Sequence, residues 1–188
     1  MRLIAARRLL RTLSRSESDA AIVEAAQALT RIPGRHVQRG LEQLLVSHDS
    51  PHVRAQAAWA LGFHPQGAEA VDVLLRTLAD GAEETEIRAH AAEALGHMAD
   101  RLGDREGDVL AALLRSLTDA SAYVRFWSAF SLGNLGDERA IPALERLAER
   151  DTQSVPGWWS IRKEALDSIE QIRLRQRNLA GRTGVENA

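Results

Sequence analysis

VRAQAAWALG at residues 53–62 is the stretch that decides the fold, because it recurs along the chain. The copies read IRAHAAEALG at 87–96 and VRFWSAFSLG at 124–133, and a less regular fourth copy, IRKEALDSIE, occupies 161–170. The arginines of successive copies are 34, 37 and 37 residues apart, a period typical of stacked helix pairs. The sequence therefore predicts an all-α fold, an α/α superhelix (solenoid) of about five helical hairpins.

Each hairpin is predicted to consist of a helix A followed by a helix B, and the copies above are the B helices. Helix A shows apolar residues at i, i+3, i+4 and i+7, as in the segment 71–78. The glycines that end the three regular copies, at positions 62, 96 and 133, are predicted to close helix B in the left-handed conformation.

The solenoid is predicted to form a single domain over residues 1–177. A degenerate first unit is expected at 3–31 and the core repeats at 35–172; terminal units of solenoids depart from the consensus because one face meets solvent. Residues 178–188 are polar and follow the last periodic segment. We expect them to form a disordered tail.

Charge is unevenly distributed along the chain. Residues 1–40 carry eight arginines against three acids, residues 41–172 carry 12 bases against 22 acids, and residues 173–188 carry four arginines against one acid. The acidic body disfavours a nucleic-acid partner. With no cysteine, no secretory signal and no apolar run of about 18 residues, the sequence predicts no disulfide and no membrane span, and we expect a cytoplasmic, bacterial protein.

The repeated pattern Val-Arg-x-x-Ala-Ala-x-Ala-Leu-Gly, together with LGDERAIPAL at 135–144, resembles the HEAT-like repeats named after phycobilisome lyases. The resemblance covers about residues 40–172. It implies the solenoid fold but no single function, since similar repeats form chromophore lyase subunits, domains of bacterial aminopeptidases and free-standing binding proteins.

The repeated arginines each lie in the first turn of a helix B, where the helix dipole opposes a cation, so we expect acidic partners. The resemblance implies a structural ion-pair ladder at these positions. The predicted ladder comprises Arg54, Arg88, Arg125 and Arg162 with Asp49 and Asp119, and further acids lie in the turns at Glu83 and Glu84.

A binding surface is predicted on the concave face of the solenoid, which the B helices line. Positions two, five and nine residues after each arginine project away from helix A. In the three regular copies they are Gln56, Trp59, Phe63, His90, Glu93, His97, Trp127, Phe130 and Asn134, and in the fourth they are Glu164, Asp167 and Gln171. Aromatic side chains at exposed positions mark interaction sites more often than cores.

The sequence therefore predicts a non-enzymatic scaffold or adaptor that binds a protein or peptide, and the acidic wall favours a partner with basic residues. Two alternatives remain open. One is a lyase-like or accessory subunit that handles a tetrapyrrole chromophore, and the other is a HEAT-type DNA-binding protein similar to alkylpurine glycosylases. We predict no catalytic residue and no cofactor. The oligomeric state is left open.

Two further features admit more than one interpretation. His90, Glu93 and His97 lie on one helical face, but their spacing is not that of the zinc-protease motif, and we predict no metal site. Trp158 and Trp159, in the last connection, are expected either to cover the core of the final repeat or to form an exposed interaction surface.

Overall fold

The computed structural model describes the backbone of residues 2–185 and the side chains of residues 3–180. Within this range the chain forms ten α-helices joined by short turns. They are α1 (Arg2–Arg15), α2 (Asp19–Leu29), α3 (Arg35–Ser47), α4 (Pro51–Phe63), α5 (Val71–Ala79), α6 (Thr85–His97), α7 (Glu106–Ser116), α8 (Ala122–Leu135), α9 (Ile141–Arg150) and α10 (Ile161–Val185).

The helices form five consecutive hairpins, α1–α2 to α9–α10, in which the even-numbered members are the B helices. The predicted α/α solenoid is confirmed. Successive B helices from α4 onward pack closely along their length, whereas successive A helices contact each other only marginally. The stack therefore curves with the B helices on its inner side.

The last helix is longer than the sequence predicts. Helix α10 continues to Val185, so residues 178–185 are helical where a disordered tail is expected. Residues 186–188 lie outside the described residues. In the described part of the chain, no helix combines the length and the low charge that a bilayer crossing would need.

The motif glycines do not end the B helices, which is a correction to the sequence interpretation. Helix α4 continues through Gly62 to Phe63, and none of the three glycines has a positive φ. They instead lie where the next B helix approaches: a Cβ on Gly62 would lie 2.6 Å from the Cα of Ala94. Helix α8 is ended by Gly136, which has φ of +75°.

Serines replace alanines in the later copies and join neighbouring B helices. The Ser131 hydroxyl donates to the Ala92 carbonyl oxygen at 2.7 Å, and the Ser168 hydroxyl donates to the Ala129 carbonyl oxygen at 2.9 Å. Both serines are buried, so these bonds satisfy hydroxyl groups that would otherwise destabilise the core. The B helices are thus held in a fixed register, which positions the side chains of the inner face.

Candidate functional site

Three of the repeated arginines form ion pairs with a carboxylate in the turn that joins helix A to helix B of the following hairpin. These pairs are Arg54–Glu83, Arg88–Asp119 and Arg125–Asp151. The nitrogen–oxygen distances are 2.9 Å for the first pair and 2.6 Å for the third. Burial would raise the pKa of Asp119, but hydrogen bonds from Arg88 and from the Ser121 amide hold that pKa below its usual value.

Two members of the predicted ladder behave differently. Asp49 contributes its backbone carbonyl to Arg54 at 3.1 Å, and the carboxylate partner comes from the next unit instead. Arg162 lies in the last unit and donates to the carbonyl oxygens of Ala148 and Glu149 at 2.8 and 3.3 Å. The arginines pair with acids further along the chain because the turn inside each hairpin packs against the start of the preceding helix B.

The inner face carries a continuous series of ring side chains, which we call the ring row. Its members, in spatial order, are Trp59, Phe63, His97, Phe130, Trp127 and Trp158. Successive ring centroids are 4.8, 4.0, 5.5, 5.3 and 5.1 Å apart, so every ring contacts the next. The row crosses α4, α6 and α8 and ends on the connection before α10.

Accessibility differs sharply within the ring row. Phe63 and Trp158 are 41% and 45% exposed, and Trp59, His97 and Phe130 are half-buried. Trp127 is only 4% exposed, so the expectation of a solvent-facing Trp127 is wrong. It lies under the 151–160 connection, where it contacts Trp158.

The 151–160 connection shapes this end of the inner face. Gly157, with φ of +81°, turns the chain so that Trp158 and Trp159 pack on Phe126, with ring centroids 5.8 and 6.1 Å away. Both tryptophans still remain more than two-fifths exposed. They therefore cover the core and contribute surface at the same time, which combines the two interpretations that the sequence left open.

Glu164 fixes the orientation of Trp159. The indole Nε1 donates to Glu164 Oε2 at 2.8 Å, and the Ser168 hydroxyl oxygen lies 3.3 Å from the other carboxylate oxygen. Burial raises the pKa of Glu164, although its contacts with Trp159 and Ser168 act in the opposite direction. The sequence placed Glu164 on an acidic wall, but it is buried, and its role is to hold the ring in place.

Glu93 lies between two histidines of α6. Its carboxylate oxygens are 2.8 Å from His90 Nδ1 and 3.5 Å from His97 Nε2. Burial would raise the pKa of Glu93, but the hydrogen bonds and the charges of the two histidines lower it overall. Glu93 is thus a buried group that orients the imidazoles. Among the described residues, no three His, Cys, Asp or Glu side chains are arranged to hold a metal ion.

The two predicted amide residues lie at different places on the same face. Gln56 is half-buried on α4, one turn before Trp59. Asn134 accepts a hydrogen bond from Gln171 Nε2 at 3.1 Å and is therefore already engaged by α10. The repeat pattern did not predict Tyr123 as part of this face, but its ring lies 6.3 Å from His90 and 6.2 Å from Trp127. The one sequence feature that could have indicated Tyr123 is its position immediately before Val124, the first residue of the third copy.

The model of the HEAT repeats family matches residues 6–85 and 78–162, and the chain belongs to this family. The chain is 39% identical over 100 residues to the phycocyanobilin lyase subunit alpha of Picosynechococcus sp., and 38% identical over 103 residues to that of Nostoc sp.. These matches cover 50% and 52% of this chain but only 35% of each relative. The predicted resemblance to phycobilisome-lyase repeats is thereby confirmed.

Solved structures with the same fold include the complex of CpcE and CpcF of phycocyanin lyase from Nostoc sp. PCC7120. That match has a TM-score of 0.71 at 19% identity and covers 88% of this chain and 98% of the other. A designed armadillo repeat protein in complex with the peptide (KR)4 matches with a TM-score of 0.54 at 21% identity, over 87% and 80% of the two chains. At these identities the likeness concerns the fold alone.

Proposed function

We propose that the chain is a lyase-like or accessory subunit that binds a linear tetrapyrrole on the ring row. The observation that carries this proposal is the unbroken series of rings across three B helices and the 151–160 connection. A tetrapyrrole presents flat conjugated rings, and aromatic side chains bind such faces by stacking and by burial of apolar area. The identity to phycocyanobilin lyase alpha subunits supports the same class of ligand.

Polar groups beside the rings would orient the ligand. The side chain of His97 is 24% exposed, and its Nε2 faces Glu93. Its Nδ1 makes no hydrogen bond within the described residues, and the imidazole ring lies between Phe63 and Phe130. This nitrogen can meet a pyrrole nitrogen, a lactam oxygen or a carboxyl group of the ligand. One positioned polar group within an apolar surface is a common arrangement in ligand sites.

We assign binding to this chain and leave bond formation to a second subunit. The matched relatives are nearly three times as long as the region they share with this chain. On the inner face, the Glu93 carboxylate is engaged by His90 and His97 and is therefore not a free base. The chain alone is therefore expected to bind a bilin without attaching it covalently.

The test is a visible absorbance titration of the purified chain with phycocyanobilin, together with quenching of tryptophan fluorescence. We expect a red or blue shift that saturates at a 1:1 ratio and is lost in the double variant Phe63→Ala/Trp158→Ala, which removes the two exposed rings. Leu174→Ala, which truncates an exposed residue on α10, is the matched control. A visible spectrum that stays unchanged in the wild-type chain would refute the proposal.

A second candidate is the scaffold role, in which the same face binds a protein or peptide. It is favoured by the exposed Phe63 and Trp158, because large aromatic side chains at a surface are the typical anchors of protein interfaces. This candidate predicts capture of a polypeptide in the absence of any chromophore, so a spectroscopic titration and a peptide titration separate the two.

A further inference from the structure

A groove opens beside the ring row, between the first turns of α6 and α8 and the 151–160 connection. Its volume is about 620 Å³. Tyr123, Val155 and Pro156 supply apolar and aromatic walls, while Glu84 and Glu86 lie on the α6 side. Tyr123 also contacts Trp127, so the groove is continuous with the ring row.

The groove is negatively charged. Glu84 makes no side-chain hydrogen bond or ion pair within the described residues, and Glu86 is 57% exposed, with its carboxylate 3.9 Å from His90 Nε2. No lysine or arginine is among the side chains that line the groove. Two carboxylates with no lysine or arginine beside them in the groove favour a cationic occupant, and aromatic walls favour its apolar stem.

The connection that borders the groove also presents an aromatic ring that already binds a cation. Nζ of Lys163 lies 5.1 Å from the ring centroid of Trp159, and the ammonium group is paired with Asp167. Glu164 fixes the indole at its edge by accepting a hydrogen bond from Nε1. The chain's own lysine thus occupies a cation–π position that a side chain of a partner could take, and tryptophan is the aromatic residue that binds cations best.

We propose that the groove and the Trp159 ring together dock a partner polypeptide segment that carries arginine or lysine. The cationic heads meet Glu84, Glu86 and the Trp159 face, and their aliphatic stems pack on Tyr123 and Pro156. This inference deepens the scaffold candidate by naming the chemistry of its partner. It does not depend on tetrapyrrole binding, since no side chain of the ring row lines the groove.

The test is a titration of the full chain with a fluorescein-labelled octapeptide of alternating lysine and arginine, followed by anisotropy without chromophore. We expect saturable binding that weakens with salt. Glu84→Gln/Glu86→Gln is expected to weaken binding about fivefold, from two surface charge pairs. Glu17→Gln/Glu24→Gln removes the same charge from exposed positions at the other end of the solenoid and is expected to leave binding unchanged.

Lys163→Ala supplies an independent readout, because it removes the intramolecular competitor and frees Asp167. We expect it to tighten binding about two- to threefold. The proposal is overturned if the basic peptide fails to bind at low salt, if an octapeptide of alternating glutamate and aspartate binds equally well, or if both double variants weaken binding to the same extent. If Lys163→Ala bound the peptide with the wild-type affinity, the proposed contact between the peptide and Trp159 would be wrong. A bilin titration that fails while the peptide binds leaves this inference intact.

Discussion

Gly96 and Ser131 bring α6 and α8 into direct backbone contact, since a Cβ on the glycine would lie 2.7 Å from the Cα of the serine. The same relationship joins Gly62 to Ala94 and Gly133 to Ser168. These close approaches let each B helix pack on the next with small residues only. The spacing of the ring row depends on them, because the rings sit on those same helices.

Gly96→Ala is therefore expected to destabilise the protein. The added methyl group would meet backbone atoms, which cannot move without separating the helices, and such overpacking costs about 1–3 kcal/mol. The gain in helix propensity from alanine, about 1 kcal/mol, offsets only part of that cost. Urea unfolding followed by circular dichroism measures the difference. Gly107→Ala on α7 has no atom within 4 Å of the new methyl group and should be neutral or stabilising. Equal effects at both sites would contradict the close-contact explanation.

The ion pairs between a motif arginine and an acid of the following hairpin should contribute more to stability than ordinary surface pairs. In Asp151→Asn, the Arg125 guanidinium loses the charge of its partner. Because the two side chains are only 12% and 10% exposed, we expect a loss of about 2–3 kcal/mol in the free energy of unfolding. Glu145→Gln breaks the half-exposed pair with Arg173 and should cost less than about 1 kcal/mol. A smaller loss for Asp151→Asn than for Glu145→Gln in chemical denaturation would show that the ladder is not structural.

His64 should make stability depend on pH. This buried imidazole lies 3.0 Å from the Ile32 carbonyl oxygen through Nε2 and accepts from the Gln66 amide through Nδ1, and burial lowers its pKa below 6.5. Because the folded pKa is below the unfolded one, its stabilising contribution is complete above pH 6.5 and is lost as the pH falls towards the folded pKa.

We expect the wild-type free energy of unfolding to fall between pH 7.5 and 5.5. In His64→Gln it should be about 1–3 kcal/mol lower at pH 7.5, because the Gln66 amide loses its acceptor, and it should vary less with pH. His52→Gln, on α4 and not among the groups that act on the pKa of His64, is the control and should retain the wild-type pH dependence. If the free energy of unfolding of His64→Gln varied with pH as steeply as that of the wild type, the pH dependence would come from other groups.

Trp127 and Trp158 should differ in what they contribute to stability. Trp127→Ala leaves a cavity under the 151–160 connection and is expected to cost about 3–5 kcal/mol. Trp158→Ala removes a ring that is 45% exposed and should cost less than about 2 kcal/mol. Thermal and urea unfolding of the two variants would check this order. The reverse order would mean that Trp158, and not Trp127, contributes more to the core beneath the 151–160 connection.

The candidate site was partly predictable because the repeat has a regular period. Counting from each motif arginine placed Trp59, Phe63, His97 and Phe130 on one face, and these rings do lie in contact. The burial of Trp127 was not predictable in the same way. It depends on the 151–160 connection, which lies outside the repeat pattern and folds according to its own glycine and tryptophans.

The sequence by itself determined the architecture. One pattern of apolar and small residues recurs along the chain, so the helices are amphipathic, and they can bury their apolar faces only by stacking on neighbouring helices. Only the tertiary structure decided which atoms meet between units. Whether a motif glycine ends a helix or admits a neighbouring backbone, and whether an arginine pairs with an acid before it or one in the following hairpin, depends on the register of adjacent hairpins. That register is set by packing between residues more than thirty positions apart, which local periodicity does not encode.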